Sequence, residues 1–176
     1  MDLLAPFPAL SSAESSNRAV QQPFRPRLIV SGGQTGADRA GLDFSLGAGI
    51  PHGGWCPRGR TAEDGPIPLR YLLREHASSS YPARTKANVR DATLTLVFSA
   101  RPLTKGSRLT VDCCGKERKP CIVLQNFPNA AADAVELRRK LPAFNGVLNV
   151  AGTRESSCPG MYAHVFQVLR LVTSQA

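Results

Sequence analysis

The run Ser31-Gly32-Gly33-Gln34-Thr35-Gly36-Ala37-Asp38-Arg39-Ala40-Gly41 follows the short apolar stretch Leu28-Ile29-Val30 and opens a segment that reads as a helix. Glycines at the mouth of a strand let the backbone approach a ligand closely. The helix behind them aims its free N–H groups at the same spot, which suits an anion, most often phosphate. The run is not a P-loop, because no Gly-Lys-Ser/Thr closes it. It is not G-x-G-x-x-G either, since the spacing is Gly-Gly-x-x-Gly. The plainer alternative is a tight strand-to-helix turn that needs small residues. Asp38 suits the positive end of the helix dipole. Arg39 does not, which marks it as a candidate for binding.

Working outward, strands and helices alternate. The spacing predicts strands at Arg27–Ser31, near 51–55, at Thr93–Phe98, Cys121–Leu124 and Val147–Val150. It predicts helices over 36–48, 84–91, 106–115, 130–141 and 159–173. Residues 56–84 read as a long loop punctuated by proline and glycine, with a short helix or edge strand near 69–74. This alternation predicts an α/β fold: a Rossmann-like three-layer sandwich whose mainly parallel sheet is flanked by helices. Residues 1–25 carry Ser, Ala, Pro and Gln without a period and are expected to form a flexible tail before a single domain over 26–176.

A chain of 176 residues with 42% hydrophobic content fits one soluble domain, and no stretch approaches a membrane span. The five cysteines form no paired framework and no C-x-x-C, and no signal peptide is evident. A cytoplasmic location is therefore expected. Adjacent Cys113 and Cys114 read as packing residues. The formal charge is +9, and residues 84–119 hold nine Lys and Arg against three acids. Phe98 is the only aromatic in that stretch, and no helix-turn-helix or zinc-finger pattern occurs, so nucleic acid is not the expected partner. His52, His76 and His164 lack metal-ligand spacing.

In a parallel sheet every strand-to-helix loop lies at the carboxyl edge. That edge gathers Ser31–Arg39, Gly53–Gly65, Pro102–Thr110 and Ala151–Ser156, each holding Gly, a small hydroxyl residue and Arg or Lys. Such groups recognise oxyanions. The candidate binding residues are Ser31, Gly32, Gly33, Gln34, Thr35, Arg39, Arg58, Gly59, Arg60, Glu63, Asp64, Thr104, Gly106, Ser107 and Thr110. Asn88 and Arg90 precede the central strand and could line the same pocket, or Arg90 could pair with Asp91. Arg58, Arg60, Arg108 and Arg154 could equally be solvated charges. Glu63 and Asp64 read either as an acid–base pair or as loop ligands to Arg60, and Trp55 either as a stacking platform or as packing.

The stretches IVSGGQTGADRAGLDFSLGAGIPHGGWCPRGRTAEDGPIP, YPARTKANVRDATLTLVF, PLTKGSRLTV and VLNVAGTRESSCPGMYAHV together resemble the molybdenum cofactor carrier proteins, within the LOG-like and lysine-decarboxylase-like group. The resemblance covers most of residues 28–172. It implies a Rossmann-like fold and a homo-oligomer, with a tetramer favoured, that binds and protects molybdenum cofactor, a phosphorylated molybdopterin. Molybdoenzymes would be its recipients, and the metal would be held through the pterin. The LOG-like enzymes follow Pro-Gly-Gly-x-Gly-Thr with two acids. Here Leu109 and Thr110 take that region and Asp112 is displaced along the helix. The carrier family's Gly-Gly-Thr is replaced by Lys105-Gly106-Ser107. No catalytic residue is expected for a carrier. The rival readings are an enzyme on a phosphorylated nucleoside, with Glu63 or Asp64 as its acid, and a nucleotide-sensing module.

Overall fold

The computed structural model describes residues 24–174. Its centre is a five-stranded, wholly parallel sheet in the order β2-β1-β9-β7-β8. These strands are β1 (Leu28–Val30), β2 (His52–Gly53), β7 (Leu94–Phe98), β8 (Cys121–Leu124) and β9 (Val147–Gly152). All five residues of β7 are buried, as expected of a strand covered on both faces. Helices α1 (Ala37–Ala48), α4 (Ala130–Lys140) and α5 (Met161–Thr173) pack together on one face. Helices α2 (Tyr81–Asp91) and α3 (Lys105–Lys116) pack together on the other. The fold is the α/β, Rossmann-like sandwich that the alternation predicts. Its main core runs from Ile29 and Leu96 through Leu148 to Met161, Val165 and Leu169.

Local chemistry sets the ends of the elements. Thr104 caps α3 by accepting from Ser107 N, and Asn129 caps α4 by accepting from Ala132 N. Gly49 closes α1 in the left-handed region. Helix α2 begins at Tyr81 rather than residue 84, because Pro82 fits a first helical turn. The single strand expected near 51–55 is broken at Gly54, where φ is 120°; a Cβ there would stand 2.2 Å from Ser31 O. His52–Gly53 stay in the main sheet. Trp55–Cys56 form β3, which pairs in parallel with β6 (Arg74–Glu75). A small hairpin of β4 (Thr61–Ala62) and β5 (Gly65–Pro66) lies between them.

The expected tail falls almost wholly outside the described residues. Phe24 is buried and stacks on Phe144, and Arg25 N donates to Phe144 O at 2.8 Å. Among the described residues no helix is long and apolar enough to cross a membrane. The helices after β1 and β7 leave toward opposite faces while β9 lies between those strands. A crevice therefore opens at their carboxyl ends.

Candidate functional site

A cavity of about 410 Å³ occupies that crevice. Asn149, Ala151 and Gly152 of β9 form its floor, and Tyr81, Arg84, Thr85 and Asn88 of α2 form one wall. Thr104, Lys105, Gly106, Leu109 and Thr110 form a second wall, and Gln34, Asp38, Arg154 and Ser157 complete the lining.

The α3 wall has the chemistry of an anion site. Thr104 Oγ1 accepts from Ser107 N at 3.2 Å and donates to Ser107 Oγ at 2.9 Å. The hydroxyls of Ser107, Thr153 and Ser99 continue this buried chain into the sheet and fix the start of the helix. The first helical N–H groups, those of Lys105 and Gly106, have no intrahelical acceptor, and both residues line the cavity. A Cβ built on Gly106 would meet nothing within 4 Å, so this backbone is open to a ligand.

Across the cavity, Arg84 Nη1 donates to Asp38 Oδ2 at 2.9 Å, with side chains 12% and 5% exposed. Burial pushes the Asp38 carboxyl up, and the Arg84 charge and hydrogen bond oppose that rise. Arg84 Nε is buried without a hydrogen-bond partner. Gly32 makes the pair possible: a Cβ there would stand 1.4 Å from Arg84 Nη1. The glycine that the sequence offers as a ledge for a ligand holds space for a guanidinium instead.

Of the fifteen candidate residues, Gln34, Thr104, Gly106 and Thr110 line the cavity. The other positions of the first loop are spent within the protein. Ser31 Oγ donates to Val150 O at 2.7 Å, and a Cβ on Gly33 would meet Leu73 and Ile67. Thr35 N donates to Gln34 Oε1, and Thr35 Oγ1 accepts from Glu155 N and donates to Glu63. Ala37 N donates to Thr153 O, so the start of α1 is partly satisfied internally while that of α3 is open.

The second loop folds on itself. Arg39 bonds Gly33 O, pairs with Asp64 at 3.2 Å and lies over the Tyr71 ring. Arg60, at φ 49°, donates to the carbonyls of Ile67, Pro68, Tyr71 and Leu73. Gly59 N donates to Glu75, and Arg58 is exposed. Glu63 receives hydrogen bonds from Ser156 N, Ser156 Oγ and Thr35 Oγ1. Burial alone would raise its carboxyl, but these bonds outweigh it and hold the group below the usual range. Ser107 is fully buried in the hydroxyl chain. Trp55 does not line the cavity, and its indole N–H donates to Asp91 at 2.7 Å. Asn88 lines the cavity and binds both backbone groups of Trp55, whereas Arg90 pairs with Asp91.

Because Arg60 ties four carbonyls, Arg60→Ala is expected to lower stability by about 2 kcal/mol and expose 57–73 to proteases, with Arg60→Lys restoring only part. Thermal melts and limited proteolysis measure this. No cavity residue lies in that loop, so ligand retention should not change.

Sequence reasoning passed over Arg84, Tyr81, Thr85, Asn149 and Ser157. The basic run 84–119 drew attention to charge, but nothing local distinguishes Arg84, whose partner is 46 residues away.

The comparisons agree with this architecture. No curated protein matches the chain. A crystal structure of a protein named "Putative molybdenum carrier protein", from Syntrophus aciditrophicus SB, matches with a TM-score of 0.76 and 38% identity, over 83% of this chain and 94% of the other. The model of the circularly permutated YpsA SLOG family matches residues 29–173, from β1 to the end of α5. That span contains every strand of the sheet and every wall of the cavity, and the chain belongs to the circularly permutated YpsA SLOG family.

Proposed function

We propose that the cavity binds a phosphorylated ring ligand, molybdenum cofactor in its pterin phosphate form, and carries it without breaking a bond. The observation that carries this reading is the open N-terminus of α3, with Lys105 beside it, facing a buried cation across about 410 Å³. The phosphate would lie at the Lys105 and Gly106 N–H groups, where the dipole and the Lys105 charge act together. Tyr81 and Leu109 offer apolar contact for the ring, and Thr85, Gln34 and Asn149 offer polar partners for its edge. Arg84 and Arg154 would meet an anionic far end. Among the described residues no three His, Cys, Asp or Glu cluster as a metal site. Molybdenum would travel as part of the ligand. Transfer to molybdoenzymes, a homotetramer and a cytoplasmic setting belong to the same proposal.

A nucleotide shares the phosphate and ring chemistry. Asp38 favours that second reading if a bond is cleaved, because among the described residues it is the one carboxylate lining the cavity, whereas Glu63 and Asp64 are bound elsewhere. Protein purified from cells that make the cofactor decides between them. Molybdenum and oxidised pterin fluorescence near one per subunit, both lost in Lys105→Glu, is the expected result. A retained nucleotide in place of pterin would overturn it, and turnover abolished by Asp38→Asn with affinity kept would make the protein an enzyme.

A further inference from the structure

Behind the cavity floor lies a pair of thiols that ligand binding does not use. Helix α3 ends in a tight turn in which Arg118 N donates to Gly115 O and Lys119 N to Cys114 O at 2.9 Å, with Arg118 at φ 52°. Thr95 N then donates to Pro120 O, and Cys121 takes its place beside Thr95 in the sheet. Residues 117–120 thus return the chain so that Cys121 meets Cys114. Cys121 and Thr95 are register partners on β8 and β7, as Thr95 and Asn149 are on β7 and β9. Both cysteines belong to a small apolar cluster with Val89, Cys113 and Leu109. Cys114 is buried and Cys121 is partly exposed. On its other side, Thr95 Oγ1 accepts from Asn149 Nδ2 at 3.2 Å, and Asn149 lines the cavity. The thiols, Thr95, Asn149 and the ligand space form one continuous chain.

We propose that Cys114 and Cys121 form a redox modification site, closed to an intrachain disulfide by a peroxide, whose state is felt at the cavity floor through Thr95 and Asn149. The Cys114 sulfur attacks the peroxide, the O–O bond breaks, and Cys114 sulfenic acid and one water result. The Cys121 sulfur then attacks the sulfenic sulfur. The S–S bond forms and the oxygen leaves as a second water with the Cys121 proton. Two thiols lose two electrons, the peroxide gains them, and a thiol reductant reverses the bond.

Selectivity has a physical basis. The neighbouring Cys121 thiol lowers Cys114 to about 7 against the opposing effect of burial. The neighbouring Cys114 thiol and burial both raise Cys121 and keep its proton in place. Burial raises Cys56, Cys113 and Cys158, so those thiols stay protonated and slow to react.

The test uses the full chain, titrated with hydrogen peroxide, alkylated and digested with trypsin. The expected product joins peptide 109–116 to peptide 119–138 with the loss of two hydrogens, and dithiothreitol reverses it. The link persists in Cys113→Ser and is absent in Cys114→Ser and Cys121→Ala. A link through Cys113, a dimer between chains, or five alkylatable thiols after treatment would overturn the site. In the oxidised protein, amide exchange over 147–152 is expected to change by about threefold or more, and not in Cys121→Ala. Unchanged exchange would overturn the coupling. Neither arm uses the ligand, so both remain readable whatever the cavity binds.

Discussion

Replacing Arg84 by alanine is expected to lower the stability of the fold by about 3–5 kcal/mol, with a greater loss at neutral than at acid pH. Arg84 reaches from α2 to Asp38 of α1, across the carboxyl end of β1. Its removal leaves a 4% exposed carboxylate without a counter-charge, and the direct attraction is the smaller part of the cost. Burial already raises Asp38 in the folded protein, with Arg84 opposing, so the variant's Asp38 rises further. An acid whose folded pKa lies above its unfolded value keeps its proton longer in the native state. Its favourable contribution is present below the unfolded pKa and lost as pH rises through the folded one. The gap between variant and wild type should therefore widen from acid to neutral pH. Denaturant unfolding at several pH values measures it. Pairing Arg84→Met with Asp38→Asn should recover most of the loss, since the neutral pair leaves no buried charge uncompensated and the amide oxygen at position 38 still accepts from Gln34 N. A loss below about 1 kcal/mol that is flat in pH would mean that water reaches the pair.

The same pair shows where the sequence is readable. The buried run Leu94–Phe98, the cap at Thr104 and the stop after Ala48 are local signals, each fixed by residues a few positions apart. They gave the fold class and the carboxyl edge of the parallel sheet, although the strand expected near 51–55 is split at Gly54. The Gly32-Gly33 turn is also legible as a close approach, but what approaches is not. One glycine admits Arg84 from α2 and the other admits Leu73 and Ile67 from the second loop, all three distant in sequence. Arg39 and Arg60 carry the residue types of an anion site, yet their guanidiniums are saturated by the carbonyl of Gly33, by Asp64 and by four carbonyls of the second loop. Sequence specifies which donors exist. Only the fold decides which remain unspent, and here those at the start of α3 do while those at the start of α1 are largely taken.

That distinction carries the second large effect. Gly106→Asp is expected to hold or raise stability while reducing ligand affinity by about a hundredfold or more. Position 106 lies in the first turn of α3, where a carboxylate complements the dipole by about 0.3–1 kcal/mol, and any side chain removes the backbone entropy cost of glycine. No atom lies within 4 Å of the added Cβ, so the substitution brings no strain. The same carboxylate would occupy the anion's place and repel it; two like charges at ~4 Å interact by about 4 kcal/mol in a partly screened site. Gly106→Ala separates the two causes. It should gain up to about 1 kcal/mol of helix stability and weaken binding only by obstruction, roughly tenfold. Thermal unfolding and the pterin and molybdenum content of the purified variants measure the two axes independently. Stability and binding should move in opposite directions, which a fold defect would not produce. Affinity preserved in Gly106→Asp would move the anion from the start of α3 to Arg84 and Arg154 on the facing side of the cavity.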